Sequence, residues 1–111
     1  MANLTLRAYN RHIENLIDLG QKELAISHCK YILQLFPKHV DTYRLLGKAY
    51  LENQHYTEAS DIFQRIINVI PDDLISQMGK SVICENEDNF DAAIWHMERA
   101  FEVQPSDSKI Q

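Results

Sequence analysis

The chain has 111 residues, 45% apolar and 24% charged, with a formal net charge of −5; this is an ordinary globular composition, long enough to bury about two thirds of the unfolded surface. The acidic balance excludes a general nucleic-acid or anionic-membrane binder, and no apolar run approaches the roughly 20 residues of a membrane span. Met-Ala-Asn-Leu-Thr-Leu-Arg at the N-terminus has no basic cluster followed by an apolar stretch, so it does not read as a secretory signal and the cytoplasm is the expected location.

The three prolines, Pro37, Pro71 and Pro105, are equally spaced along the chain. A fixed period of this size, about 34 residues, marks a repeat array. Cutting two residues after each of the first two divides the chain into repeats 6–39, 40–73 and 74–107. No Pro-, Gly- or Ser-rich linker separates them, so residues 1–111 are expected to form a single domain. In chain order, the pattern predicts six antiparallel helices over 6–19, 22–36, 41–53, 57–70, 74–87 and 91–103. Gly20 divides the first pair and suits a left-handed helix stop. In the middle repeat Tyr43, Leu46, Gly47, Tyr50 and Leu51 recur at helical spacing. After the polar break Glu52-Asn53-Gln54-His55 comes a second stripe, Ala59, Ile62, Phe63, Ile66, Ile67 and Ile70. Pro71 closes it, because proline lacks the N–H and biases the residue before it away from helix. Thr5, Asp41, Thr57, Asp73 and Asp91 are the expected N-caps. Helices this short are marginal alone and depend on stacking.

The middle repeat, with Tyr43, Leu46-Gly47, Tyr50, Ala59, Phe63 and Pro71, resembles the tetratricopeptide repeat family. The first repeat keeps Tyr9, Leu16, Ala25 and Pro37, with His12-Ile13 in place of Leu-Gly and Cys29 at the second aromatic position. The third keeps Phe90, Ala93, Met97, Ala100 and Pro105, but its first helix departs. The resemblance covers residues 6–107 and implies an all-α, right-handed solenoid of three helix-turn-helix repeats. Small residues such as Gly47 and Ala59 belong where two helices approach within about 8–10 Å.

The third repeat allows two registers. An unbroken count puts Gln77, Lys80 and Ser81 at the aromatic, Leu and Gly positions, which requires Lys80 to snorkel. A two-residue slip would instead align Ile75, Met78-Gly79 and Val82, with a longer loop through 86–89. The unbroken count keeps the loops matched and is preferred.

Little points to chemistry. His12, His28, His39, His55 and His96 lack the spacing of metal ligands, and His28 and His96 share a repeat position two repeats apart, so they read as surface or edge histidines. Cys29 and Cys84 are expected to be free thiols. The carboxylates at Asp72-Asp73 and from Glu85 to Asp91 fall in interhelix turns and read as caps and solvated charge. No phosphate loop or nucleophile motif is present. The expectation is a non-enzymatic protein that needs no cofactor and no metal.

The resemblance implies a concave groove formed by the first helices, which would bind a peptide or protein segment. Carried over by position, it holds Arg7, Asn10, Arg11, Glu14 and Ile17, then Asp41, Arg44, Leu45, Lys48 and Leu51, then Ile75, Met78, Gly79, Val82 and Asn86. From these, Arg7, Arg11, Arg44, Lys48, Leu51, Met78 and Val82 are the candidate binding residues. A basic clamp for chaperone C-termini is not expected, because Asn10, Glu14, Leu45, Ile75 and Gly79 occupy its positions. The four cations suggest an acidic ligand with apolar anchors, although pairing with Glu14 and Glu52 along the helices would leave only a solvated face. The alternative is a structural segment of a longer repeat protein that stacks on itself or on other repeats. Charge grades from five cations and three anions in the first repeat to two cations and seven anions in the third. Complementary ends favour head-to-tail or antiparallel pairing, Ile75, Met78 and Val82 face outward, and the second helix of the third repeat, with Ile94, Met97, Phe101 and Val103, has no following repeat to cover it; together these predict a homo-oligomer through the third repeat.

Overall fold

The computed structural model describes the backbone of residues 2–110 and the side chains of residues 6–102. Six helices follow one another: α1 (Ala2–Asp18), α2 (Lys22–Leu35), α3 (Val40–Glu52), α4 (Tyr56–Val69), α5 (Leu74–Asn86) and α6 (Phe90–Ile110). Among the described residues there is no strand. Each helix packs on its neighbour in sequence, and the odd-numbered helices also touch, α1 on α3 and α3 on α5. That pattern is a solenoid with α1, α3 and α5 side by side in one layer.

The repeat period reappears in the backbone of the turns. Gly20 (φ 84°), Gln54 (φ 62°) and Asp88 (φ 60°) are the left-handed residues that end α1, α3 and α5. Each turn closes with the same pair of hydrogen bonds. Gly20 N donates to Ile17 O and Gln21 N to Leu16 O, at 3.0 and 2.9 Å; Gln54 N to Leu51 O and His55 N to Tyr50 O, at 3.0 and 2.8 Å. Asp88 N to Glu85 O and Asn89 N to Cys84 O, at 3.0 and 2.8 Å, complete the set. These paired bonds satisfy carbonyls that a helix end would otherwise orphan.

The helix starts depart from the expected caps. After Pro37 the turn closes through His39 N to Phe36 O, which leaves His39 in the extended N-cap conformation and Asp41 inside the first turn of α3. Thr57 likewise falls one residue inside α4, behind His55. Neither histidine side chain caps its helix. Asp73 is the expected cap that the structure keeps, accepting from Ser76 N at 3.0 Å. Asn89, not Asp91, precedes α6, with its Oδ1 3.4 Å from Ala92 N. Thr5 lies within α1, and its side chain is outside the described residues. Pro105 does not end α6, which continues to Ile110. After Pro37 and Pro71 a closed turn leads the chain into a following helix; no such turn follows Pro105 among the described residues.

The core is sealed by small residues at the helix contacts. Ala25, Ala59 and Ala93, which share one repeat position, are all buried. Phe63 is 1% exposed, and its ring is held between two glycines. A Cβ on Gly47 would fall 2.6 Å from Phe63 Cε1, and one on Gly79 would run into Cε2 on the opposite edge. Gly47 belongs to α3 and Gly79 to α5, so one aromatic ring joins the second repeat to the third. Gly79 is therefore a core residue and not part of the groove surface.

The first helix of the third repeat follows the unbroken count. Gln77 and Ser81 are buried, while Ile75, Met78 and Val82 are exposed. Gln77 Nε2 donates to Pro71 O at 2.9 Å, as Tyr43 OH donates to Pro37 O at 3.0 Å in the preceding repeat. Ser81 Oγ donates to Ala93 O at 2.8 Å. Lys80 remains half-buried and donates to Ser60 Oγ at 2.9 Å, so its ammonium is satisfied without full burial.

Candidate functional site

The layer of α1, α3 and α5 leaves a cavity of about 530 Å³. Its walls are Leu6, Arg7, Asn10, Arg11 and Glu14 from α1, His39 at the start of α3, then Asp41, Arg44, Leu45 and Lys48, with Ile75 of α5 at the far side. Helical spacing explains the set. Arg7, Arg11 and Glu14 lie at i, i+4 and i+7, and Asp41, Arg44, Leu45 and Lys48 at i, i+3, i+4 and i+7, each on one helix face. All four expected cations are thus brought to one cavity. Leu51 lies outside it, half-buried against the core. Met78 and Val82 continue the exposed face of α5 beyond Ile75 without lining the cavity. Ile17, assigned to the groove by position, is 2% exposed and belongs to the core.

The four cations differ in what they are free to do. Arg44 Nε and one terminal nitrogen bond Asp73 Oδ1 at 2.9 and 2.5 Å, and the other terminal nitrogen bonds Asp41 Oδ1 at 2.6 Å. Asp73 is buried and also takes Ser76 N and Ser76 Oγ on its second oxygen, at 3.0 and 2.6 Å. Burial would raise the Asp73 pKa, but the bonds from Arg44 and Ser76 outweigh it and hold the carboxyl below its ordinary range. The bond to Asp73 in turn raises Arg44. Arg44 is therefore a strut between α3 and the start of α5. Asn10 holds the equivalent position of the preceding repeat and has the matching role. Its Oδ1 accepts from Thr42 Oγ1 at 3.0 Å, and Thr42 lies 2.8 Å from His39 Nδ1. Among the described residues no carboxylate lies within salt-bridge distance of Arg7, Arg11 or Lys48. The pairings with Glu14 and Glu52 expected along the helices are not formed. Three cations face the cavity without a salt-bridge partner among the described residues, beside the single unpaired carboxylate of Glu14.

The sequence carried a signal for the strut. Asp73-x-x-Ser76 is a capping pattern, and Asn10 and Arg44 share a repeat position. A second hollow of about 410 Å³ lies away from the groove, between Pro37, Val40 and Tyr43 on one side and Ile66, Val69 and Ile70 on the other, with Lys38 and Arg65 at its edge.

A family profile described as tetratricopeptide repeat matches residues 16–80, more than half of the chain. The chain belongs to the tetratricopeptide repeat family. Among solved structures it is similar to MamA, residue 41 to the end, from Desulfovibrio magneticus RS-1, with a TM-score of 0.78 and 20% identity over 90% of this chain and 56% of that one. It is also similar to the ArsTM double mutant of MamA RS-1, with a TM-score of 0.77 and 20% identity over 91% of this chain and 57% of the other. The chain thus spans a little over half the length of these structures, and the likeness is one of fold. Comparison with curated protein sequences finds no match.

Within this tetratricopeptide array His28 and His96 serve packing. His28 and His96, at one repeat position, each join the second helix of a repeat to the first. His28 Nδ1 is 2.5 Å from Tyr9 OH, and His96 Nδ1 is 2.8 Å from Gln77 Oε1. His12 also stacks edge-on against His28, with ring centroids 5.9 Å apart. His96 is thereby more than an edge residue; burial, aided by Lys80, lowers its pKa. Among the described residues no group of three or more His, Cys, Asp or Glu is placed to hold a metal. Cys29 and Cys84 are unbonded thiols, and burial pushes Cys29 up to about 12, far from a reactive thiolate. No helix of the described residues is long and apolar enough to cross a membrane.

Proposed function

We propose that this chain is a non-enzymatic scaffold that binds an acidic segment of another protein in the groove between α1, α3 and α5. The observation that carries the reading is the trio of Arg7, Arg11 and Lys48, which line the cavity without a carboxylate partner among the described residues, in a protein of net charge −5. Leu45 and Ile75 offer apolar contact beside them, and Met78, Val82 and Leu51 extend the same helices for a longer ligand. Repeats 6–39, 40–73 and 74–107 act as one domain in this reading, the cytoplasm is its place of work, and neither nucleic acid, membrane nor cofactor takes part. Arg44 positions α5 instead of contacting ligand. The experiment is a fluorescence titration with a labelled acidic peptide carrying leucine anchors, against the wild-type chain and Arg11→Glu/Lys48→Glu. Binding that falls about tenfold or more in the double variant is the expected result. Equal affinity for both proteins overturns the assignment.

A further inference from the structure

Helix α6 carries the chemistry that the groove is proposed to select. Phe90, Ile94 and Phe101 are 55%, 57% and 57% exposed. At 3.6 residues per turn they fall within about 40° of one another, in a single row. Asp91, Glu98 and Glu102, all exposed, form a second row along one flank of the first. Ala93, Ala100 and His96 face the other way, and α6 packs on α5 and on no other helix among the described residues. An exposed apolar row of this size bordered by one sign of charge is a contact surface.

We propose that the α6 face of one copy of this chain docks in the α1–α3–α5 groove of a second copy, head to tail; this rests on the groove reading above and names its occupant. Two features argue for a second copy. The first is charge. The groove presents Arg7, Arg11 and Lys48 with no salt-bridge partner among the described residues, against the one unpaired carboxylate of Glu14, and the α6 flank presents Asp91, Glu98 and Glu102. Arg7 and Arg11 stand four residues apart on α1, as Glu98 and Glu102 do on α6, so both pairs repeat with the same rise of about 6 Å. Arg99, half-buried and now on Glu102 at 2.6 Å, is the partner that the docked cations would replace. The second feature is apolar. In the docked pair, Leu45 and Ile75 beside the cations meet the exposed row of Phe90, Ile94 and Phe101. The contact is heterologous: every bound copy still offers one groove and one α6, so the assembly grows with concentration unless it closes into a ring.

The experiment uses the full chain in sedimentation velocity across a concentration series. The wild type should gain mass as concentration rises to about 0.1 mM. Arg11→Glu/Lys48→Glu disables the groove, and Ile94→Asp/Phe101→Asp disables the α6 face; each alone should associate at least about tenfold more weakly. Mixed in equal amounts, the two should form a one-to-one pair and stop there, because only one intact groove meets one intact α6. If Ile94→Asp/Phe101→Asp fails to fold, Glu98→Lys/Glu102→Lys takes its place; because its lysines also match the glutamates of the groove variant, that mixture should assemble beyond a one-to-one pair while each variant alone stays weak. A wild type that stays monomeric throughout, a mixture that stays monomeric, or variants that assemble like the wild type each overturn the proposal. An unrelated acidic, leucine-anchored peptide is titrated in parallel. If that peptide binds wild type but not Arg11→Glu/Lys48→Glu while the chain stays monomeric, head-to-tail docking falls and the groove reading stands. If the peptide does not bind either, both fall.

Discussion

Phe63 shows how much one residue position can decide. Its ring sits where α3, α4 and α5 meet, with Gly47 on one edge and Gly79 on the other. Gly47→Leu and Gly79→Ala should each destabilise by about 1–3 kcal/mol, since neither ring edge can retreat without striking the other glycine. Urea unfolding checks this, with Gly20→Ala as the comparison. Gly20 has open space around it and φ of 84°, so its cost, about 1 kcal/mol, is conformational only. The role of Gly47 was legible from its place in the repeat pattern. Gly79 was not, because its offset matches Leu45 in the previous repeat and only the packing of Phe63 between repeats brings it inward. Arg44 was misleading for a related reason: a cation on the right helix face reads as available until its partner, 29 residues on, is seen. Arg44→Glu is consequently a poor binding test and should destabilise the fold, by leaving Asp73 buried without its donor. The pH dependence follows the same residue. Asp73 titrates below the ordinary carboxylate range when folded, so the unfolded chain takes up the proton first as pH falls. The Asp73 contribution to stability should therefore be full above about pH 5 and decline through and below the normal carboxylate range near pH 4. His96, also lowered, adds a decline of the same sign that begins at about pH 6.5. Asp73→Asn should flatten the lower limb and His96→Gln the upper one, read from urea midpoints across pH.

At the scale of helices and turns, most of the fold was readable because two strong signals coincide. Apolar residues recur at helical spacing, and proline stops recur once per repeat, so α2 to α5 lie within a residue or so of expectation. Caps were harder to read. Which residue caps is set by how the preceding turn closes, and the bond from His39 N to Phe36 O moves the start of α3 back past Asp41. The length of α6 was missed because a proline withdraws one donor without dictating a turn after it. The left-handed turn positions carry a direct prediction. Gln54 occupies a conformation that glycine adopts without strain, so Gln54→Gly should raise stability by about 0.5–1 kcal/mol. Asp88→Gly should gain less, since Asp tolerates that region better. Thermal melts of both variants against wild type measure the difference. A loss of stability at Gln54 would mean its side chain contributes more than the backbone strain removes.

For the whole molecule, the layer of first helices gathers charge that the sequence spreads over two repeats. The cavity unites α1 and α3 and leaves the exposed part of α5 as an apolar extension, so the candidate groove was legible in outline through repeat positions. What could not be read was which cations are neutralised inside the fold. Among the described residues Arg44 is paired, whereas Arg7, Arg11 and Lys48 have no salt-bridge partner. Ligand binding should then weaken steeply between about 0.1 M and 1 M salt, as the screening length falls from roughly 10 to 3 Å. The most direct measurement is an amide NMR titration of the full chain with an acidic, leucine-anchored peptide. Shift changes should trace the inner faces of α1 and α3 around Arg7, Arg11 and Lys48, reach Ile75 on α5, and fade at high salt. Changes centred on the hollow between Tyr43 and Val69, or no changes at all, would contradict the groove as the binding site.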